Sequence, residues 1–171
     1  MEATIVHVDS DIDRIARGSE QDEHLVKLVE LLFFAYRDFV SDPDEILSDF
    51  GFGRAHHRIL HFVGRNPGIR VAELLDILRI TKQSLGRVLR ELIEKGYVYQ
   101  EEGREDRRQR LLYLTEQGNK LRLDLLAPQI ERIKRAISAV DDGGQGGEKL
   151  LFHMIDPEDR DHVARLIRPD R

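Results

Sequence analysis

Apolar residues recur at helical spacing along most of the chain and at alternate positions over one short stretch past its middle. Leu25, Leu28, Val29, Leu32, Tyr36, Phe39 and Val40 fall at i, i+3, i+4 and i+7 intervals, which predicts a helix over 19–40. Leu31, Phe33, Phe34 and Ala35 occupy its other faces. A helix apolar nearly all round must be covered nearly all round. One face is therefore expected against its own domain and another against a second subunit. Ser41-Asp-Pro-Asp44 is expected to break this helix. A second helix is read over about 53–65, with Ile59, Phe62 and Val63 inward, and Asn66-Pro-Gly68 forms a turn. Residues 71–78 read as a short helix with Val71, Leu74, Leu75 and Leu78 on one side. After the turn 79–81, Thr81 caps a helix over 82–95 that buries Leu85, Val88, Leu89 and Leu92. Gly96 stands where a glycine ends a helix.

The period then changes to two. Residues 97–101 and 110–114 read as two strands around a charged loop. Thr115 caps a long helix reaching about residue 140, with Leu121, Leu125, Ile130, Ile133 and Ile137 apolar and Pro128 placed to bend it. Residues 141–147 read as a flexible glycine-rich break, followed by short helices carrying Leu150, Leu151, Val163, Leu166 and Ile167. Residues 1–18 read as a loose arm, with a short strand at 4–8. Helix, short helix, tight turn, helix and hairpin in that order make a winged helix-turn-helix. The fold class is mainly α with a small β wing. The organisation is an arm (1–18), an N-terminal helix and linker (19–50), the winged helix-turn-helix (51–118) and C-terminal helices (119–171).

Composition narrows the chemistry. The 171 residues contain no Cys, which excludes disulfides, thiolate catalysis and Cys-ligated zinc. No window approaches 18 consecutive apolar residues and residues 1–10 lack a signal-peptide pattern, so a soluble cytoplasmic protein without membrane contact is expected. The formal net charge is −5 but is unevenly spread: 4 basic and 13 acidic residues in 1–50, against 9 and 6 in 79–110. A local basic surface on an acidic protein fits selective contact with a polyanion. No catalytic residue or cofactor is expected: Gly143–Gly147 lacks the spacing of a phosphate loop, and no nucleophile or zinc-protease motif occurs.

The helix over 82–95 turns Lys82, Gln83, Ser84, Gly86, Arg87 and Arg90 away from its apolar stripe. Gln and Arg make bidentate contacts with purine edges, and Lys and Ser reach phosphates or bases. Thr81 and the helix N-terminus favour phosphate. Gly86 costs about 1 kcal/mol relative to Ala in a helix interior. Either it permits close approach to DNA or it makes a tight helix–helix contact. The hairpin tip carries Arg104, Arg107, Arg108 and Arg110, four Arg in seven residues. Such a loop beside a recognition helix is suited to the minor groove, with Asp106 pinning its shape.

The wing sequence Asp106-Arg-Arg108, followed by Leu114-Thr-Glu-Gln-Gly118, and the stretch from Thr81 to Val98 resemble the MarR family of bacterial transcriptional regulators over about residues 54–120. The resemblance implies a homodimer, with the long flanking helices as dimerisation helices, on a pseudo-palindromic operator of double-stranded DNA. It implies major-groove reading by Lys82, Gln83, Ser84, Arg87 and Arg90, and minor-groove contact by Arg108, with Arg107 and Arg104 beside it. Relatives that sense oxidants do so through a cysteine, which this chain lacks. The family's other mode implies a small organic, often aromatic, acid bound between the dimerisation helices and the DNA-binding lobe. His57, His61 and Tyr36 are the candidates for that ligand. His57 and His61 are four residues apart on one helical face, a spacing that would also suit zinc if carboxylates joined from elsewhere. Interfacial or surface histidines without a ligand are the plainer reading. A protein-interaction module on a winged-helix scaffold is the competing function.

Overall fold

A computed structural model describes residues 20–103, 106 and 109–167. The arm 1–18 with its strand at 4–8, and Arg104, Arg107 and Arg108 of the wing, lie outside the described residues. The chain divides into two units at Ser41/Asp42.

Helix α1 spans Glu20–Asp49. Its portion up to Ser41 belongs to the N-terminal unit and leaves Leu25, Val29, Leu31, Phe33, Phe34 and Tyr36 more than half exposed. The expected break at Ser41-Asp-Pro-Asp44 does not occur; Pro43 lies inside the helix. An interior proline costs ~3 kcal/mol or more, and packing outweighs it here. Pro43 and Leu47 are fully buried, and Asp42 receives both contacts of Arg132 Nη2 at 2.9 and 3.1 Å. Asp44 accepts from Arg54 Nε at 2.9 Å. The helix instead ends at Gly51, in the left-handed region at φ +66°. There the Phe52 N–H donates to Leu47 O at 3.0 Å and the Gly51 N–H to Ser48 O at 3.1 Å, a Schellman closure.

The second unit holds the remaining elements: α2 (Arg54–Arg65), β1 (Ile69–Arg70), α3 (Val71–Leu78), α4 (Lys82–Glu94), β2 (Val98–Glu102), β3 (Arg110–Leu114), α5 (Glu116–Ser138), α6 (Gln145–His153) and α7 (Arg160–Leu166). The helix-turn-helix and the two wing strands stand where periodicity places them. The two-residue β1 is new, and it pairs with β3 in an antiparallel sheet of order β1-β3-β2. Two residues carry no period, so only the pairing of Ile69 with Leu112 reveals the strand. Residues 145–147 belong to α6 rather than to a break: Asp142 accepts the N–H groups of Gly144 and Gly146 and holds the loop shut.

One core joins α2 to α5 and the wing strands. Ile59, Leu60 and Val63 of α2 pack with Leu74 and Leu78 of α3, Leu85, Val88, Leu89 and Leu92 of α4, Val98 and Leu112 of the wing, and Leu121 and Leu125 of α5. The same α4 residues that bury this stripe fix which face of the helix looks outward. No helix among the described residues is long and apolar enough to cross a membrane.

Candidate nucleic-acid interface

The turn between α3 and α4 is made by Arg79, in the left-handed region at φ 50° and ψ 44°. Its N–H closes α3 on Leu75 O at 2.9 Å, and its guanidinium pairs with Asp159 just before α7. That partner lies 80 residues away, and no local signal points to it. Thr81 then caps α4: its Oγ1 accepts the Ser84 N–H at 3.1 Å and donates to Ser84 Oγ at 2.9 Å.

Leu85, Val88, Leu89 and Leu92 face the core, which turns Lys82, Gln83, Ser84, Gly86, Arg87 and Arg90 outward, all exposed. They line a shallow cleft of about 600 Å³. Lys82, Arg87 and Arg90 make no ion pair among the described residues. Elsewhere in this unit arginines are engaged: Arg54 with Asp44, Arg70 with Glu73, Arg132 with Asp42. Unpaired cations beside a Gln at the open end of a helix are poised for a phosphate backbone and base edges. A Cβ built on Gly86 meets nothing within 4 Å, so the tight helix–helix contact is ruled out.

The wing strands run in register from Val98↔Leu114 to Glu102↔Arg110. Arg110, a candidate DNA contact, donates to Glu102 Oε1 at 2.9 Å across this last pair. Gly103 and Gln109 close the turn: the Gly103 N–H donates to Gln109 O, and the Gln109 N–H to Asp106 O, both at 3.0 Å. Asp106 thus shapes the wing through its backbone carbonyl. A Cβ at Gly103 would come within 2.7 Å of that oxygen.

The Leu114-Thr-x-x-Gly118 sequence is an anchor for the wing. Thr115 Oγ1 accepts the Gly118 N–H at 3.0 Å and donates to Gly96 O at 2.6 Å. The Thr115 N–H donates to Tyr97 O at 3.1 Å. The end of β3, the start of α5 and the entry to β2 are thereby tied together.

His56 has a structural task that the sequence left open. The Gly53 N–H donates to its Nδ1 at 3.1 Å, so the proton sits on Nε2 and donates to Glu91 Oε2 at 3.0 Å. The ring stacks on Phe52 at 4.5 Å. Glu91 also accepts from Lys95, which lies over the same Phe52 ring at 4.5 Å. The start of α2 is thus fastened to the inner side of α4.

His57 and His61 are half-buried on α2. Tyr36 belongs to the N-terminal unit and is 57% exposed. Burial pushes the His61 imidazole down to about 4, and the positive charge of His57, Arg122 and Arg65 adds to it. Burial also lowers His57, against the opposing pull of Asp44. Among the described residues no three His, Asp or Glu side chains gather as metal ligands.

Neutral His61 contributes stability in full above pH 6.5, its ordinary value, and that contribution is lost as pH falls toward about 4. Between those limits the unfolded chain binds the proton and the folded chain resists it. His61→Gln is therefore expected to lose less stability than the wild type between pH 7 and pH 4.5. Urea midpoints across that range check this; parallel curves would mean that His61 titrates normally.

The MarR family model matches residues 50–109, the segment that holds the helix-turn-helix and most of the wing. The HTH-type transcriptional regulator PetP of Rhodobacter capsulatus is 46% identical over 146 residues, covering 85% of this chain and 88% of that protein. Streptococcus pneumoniae FabT in complex with DNA superposes with a TM-score of 0.68 at 16% identity, covering 76% of this chain and 94% of that one. A MarR transcriptional regulator from Methanosarcina mazei does so at 0.59 and 25% identity, covering 77% and 94%. With the exposed cationic face of α4 and the anchored wing, these likenesses establish that the chain belongs to the MarR family of winged-helix, DNA-binding transcriptional regulators, which are not enzymes.

Proposed function

We propose that the protein is a homodimeric cytoplasmic repressor that reads a pseudo-palindromic operator and is released by a small organic acid. The observation that carries the DNA reading is the outward face of α4, where Lys82, Arg87 and Arg90 stand exposed around Gln83 with no ion pair among the described residues. Gln83 and Arg87 contact base edges in the major groove, while Thr81, Lys82, Ser84 and Arg90 position the helix on phosphates. Arg108, flanked by Arg104, Arg107 and Arg110, enters the minor groove. Two copies place their helices in half-sites about one helical turn apart.

The dimer is supported by the apolar surface each protomer leaves open: α1, the end of α5 (Ile130, Ile133, Ile137) and α6 (Leu150, Leu151). Release by an acid is supported by half-buried His57 and His61 on α2, with the Arg65 and Arg122 guanidiniums close enough to act on His61. An anion bound there pairs with those guanidiniums. It shifts DNA affinity only through a difference in its affinity for the two shapes of the dimer.

Fluorescence-anisotropy titration with the DNA upstream of the protein's own coding region, against a shuffled duplex at two salt concentrations, tests the reading. Selective, salt-sensitive binding supports it. No binding at low salt would favour a protein-interaction module on the same scaffold. Gln83→Ala and Arg87→Ala are each expected to cost about 1–3 kcal/mol and to relax base preference at one position per half-site. Arg108→Ala should instead weaken binding to all sequences and reduce the salt slope by about one unit. Identical behaviour across operator variants would show the groove assignments to be wrong.

A further inference from the structure

We propose that Gly86 sets how deeply the recognition helix seats in DNA: the missing side chain lets the backbone of α4 rest against base-pair edges. The inference rests on the DNA-binding reading above and adds a specificity-determining position that carries no functional group. Gly86 occupies the centre of the outward stripe. Lys82, Gln83 and Arg90 lie four, three and four residues from it and are its neighbours on the helix surface, and Arg87 borders the same cleft. The cleft of about 600 Å³ lined by Lys82, Gln83, Ser84, Arg87 and Arg90 has Gly86 among its walls.

Nothing among the described residues accounts for a glycine there. Its φ is not in the left-handed region, and a Cβ would meet no atom within 4 Å. Gly53 is equally open but is the N-cap of α2, outside the helix interior, and other glycines of this lobe have a structural reason. Gly96 and Gly68 have positive φ, Gly64 lies under Arg122, and Gly118 lies against Tyr97. A helix-weakening residue that serves neither backbone nor packing, at the middle of a DNA-facing stripe, fits a surface that must stay low. Without a Cβ the helix seats about 1.5 Å deeper, one carbon–carbon bond. That depth brings Gln83 and Arg87 within hydrogen-bond reach of bases.

The full-length wild-type protein is used to select its preferred duplex from a random pool, and Gly86→Ala, Gln83→Ala and wild type are then compared on that duplex. Gly86→Ala is expected to raise Tm by about 2–4 °C, because Ala favours the helix and meets no clash. It is expected to weaken binding about tenfold or more by displacing base contacts. The salt slope should be unchanged, since no charge is lost. Wild-type affinity in Gly86→Ala, with a loss in Gln83→Ala, overturns the proposal and leaves the DNA reading standing. A fall in Tm overturns it by showing that the glycine serves the fold. If no duplex is selected, or neither variant changes binding, the DNA reading falls with it.

Discussion

Gly118→Ala is expected to destabilise the protein by about 3 kcal/mol or more, a fall in Tm of roughly 6–12 °C. A Cβ at Gly118 would land on the carbonyl oxygen and carbon of Tyr97 and crowd its Cα as well. These are backbone atoms that cannot swing aside as a side-chain end would. The Tyr97 carbonyl is already committed, accepting the Thr115 N–H at 3.1 Å. Moving it breaks the junction of β2, β3 and α5, where Thr115 Oγ1 binds the Gly118 N–H and Gly96 O. Val98 and Leu112, both essentially buried, sit on the strands that this junction holds. Thermal or urea unfolding followed by circular dichroism measures the loss. A change under 1 kcal/mol would mean that α5 can slide away from the wing without cost. The same substitution at Gly86 is expected to stabilise, so the pair separates a glycine needed by the fold from one needed by the surface.

This contrast marks what local pattern shows. The helix-turn-helix was legible because its signals are local: Thr81 as a cap, four apolar residues on one face of α4, Gly96 at the exit, and alternation through the wing. The outward stripe followed from the same periodicity, since burying Leu85, Val88, Leu89 and Leu92 leaves only one face for the others. Three features were hidden because distant residues decide them. Pro43 reads as a break, yet the helix continues because Leu47 is buried and Arg132 holds Asp42. Strand β1 exists only through its pairing with β3. His56 carries no local signal, and only the contact with Glu91, 35 residues on, gives it a structural task. Gly86 and Gly118 are both glycines near a helix start, and sequence leaves their surroundings open. Only geometry separates an open surface from a carbonyl oxygen.

Phe33→Glu is expected to convert the protein to a folded monomer and to weaken operator binding by about 100-fold or more. The argument starts from exposure. Leu25, Val26, Leu28, Val29, Leu31, Leu32, Phe33, Phe34 and Tyr36 are nine large apolar residues within twelve positions of α1, each at least 37% exposed, and Phe33 at 68% is the most exposed of them. Monomeric soluble proteins rarely leave so contiguous an apolar surface open to water. A carboxylate at Phe33 would be solvated in a lone protomer and so cost its fold little. Buried between two copies, the same carboxylate would face apolar surface without a partner, a large penalty for a charge. In the proposed dimer the interface therefore bears the loss. Each half-site then binds alone, and the gain of about 10²–10⁴ from tethering two recognition helices disappears. Light scattering with size-exclusion chromatography reads the mass, circular dichroism the retained helix, and anisotropy the affinity for the selected duplex. A variant that stays dimeric at micromolar concentration would move the interface away from this face of α1, toward Ile133, Ile137, Leu150 and Leu151. A monomer that still bound the operator as tightly as the wild type would mean that one recognition helix and one wing suffice.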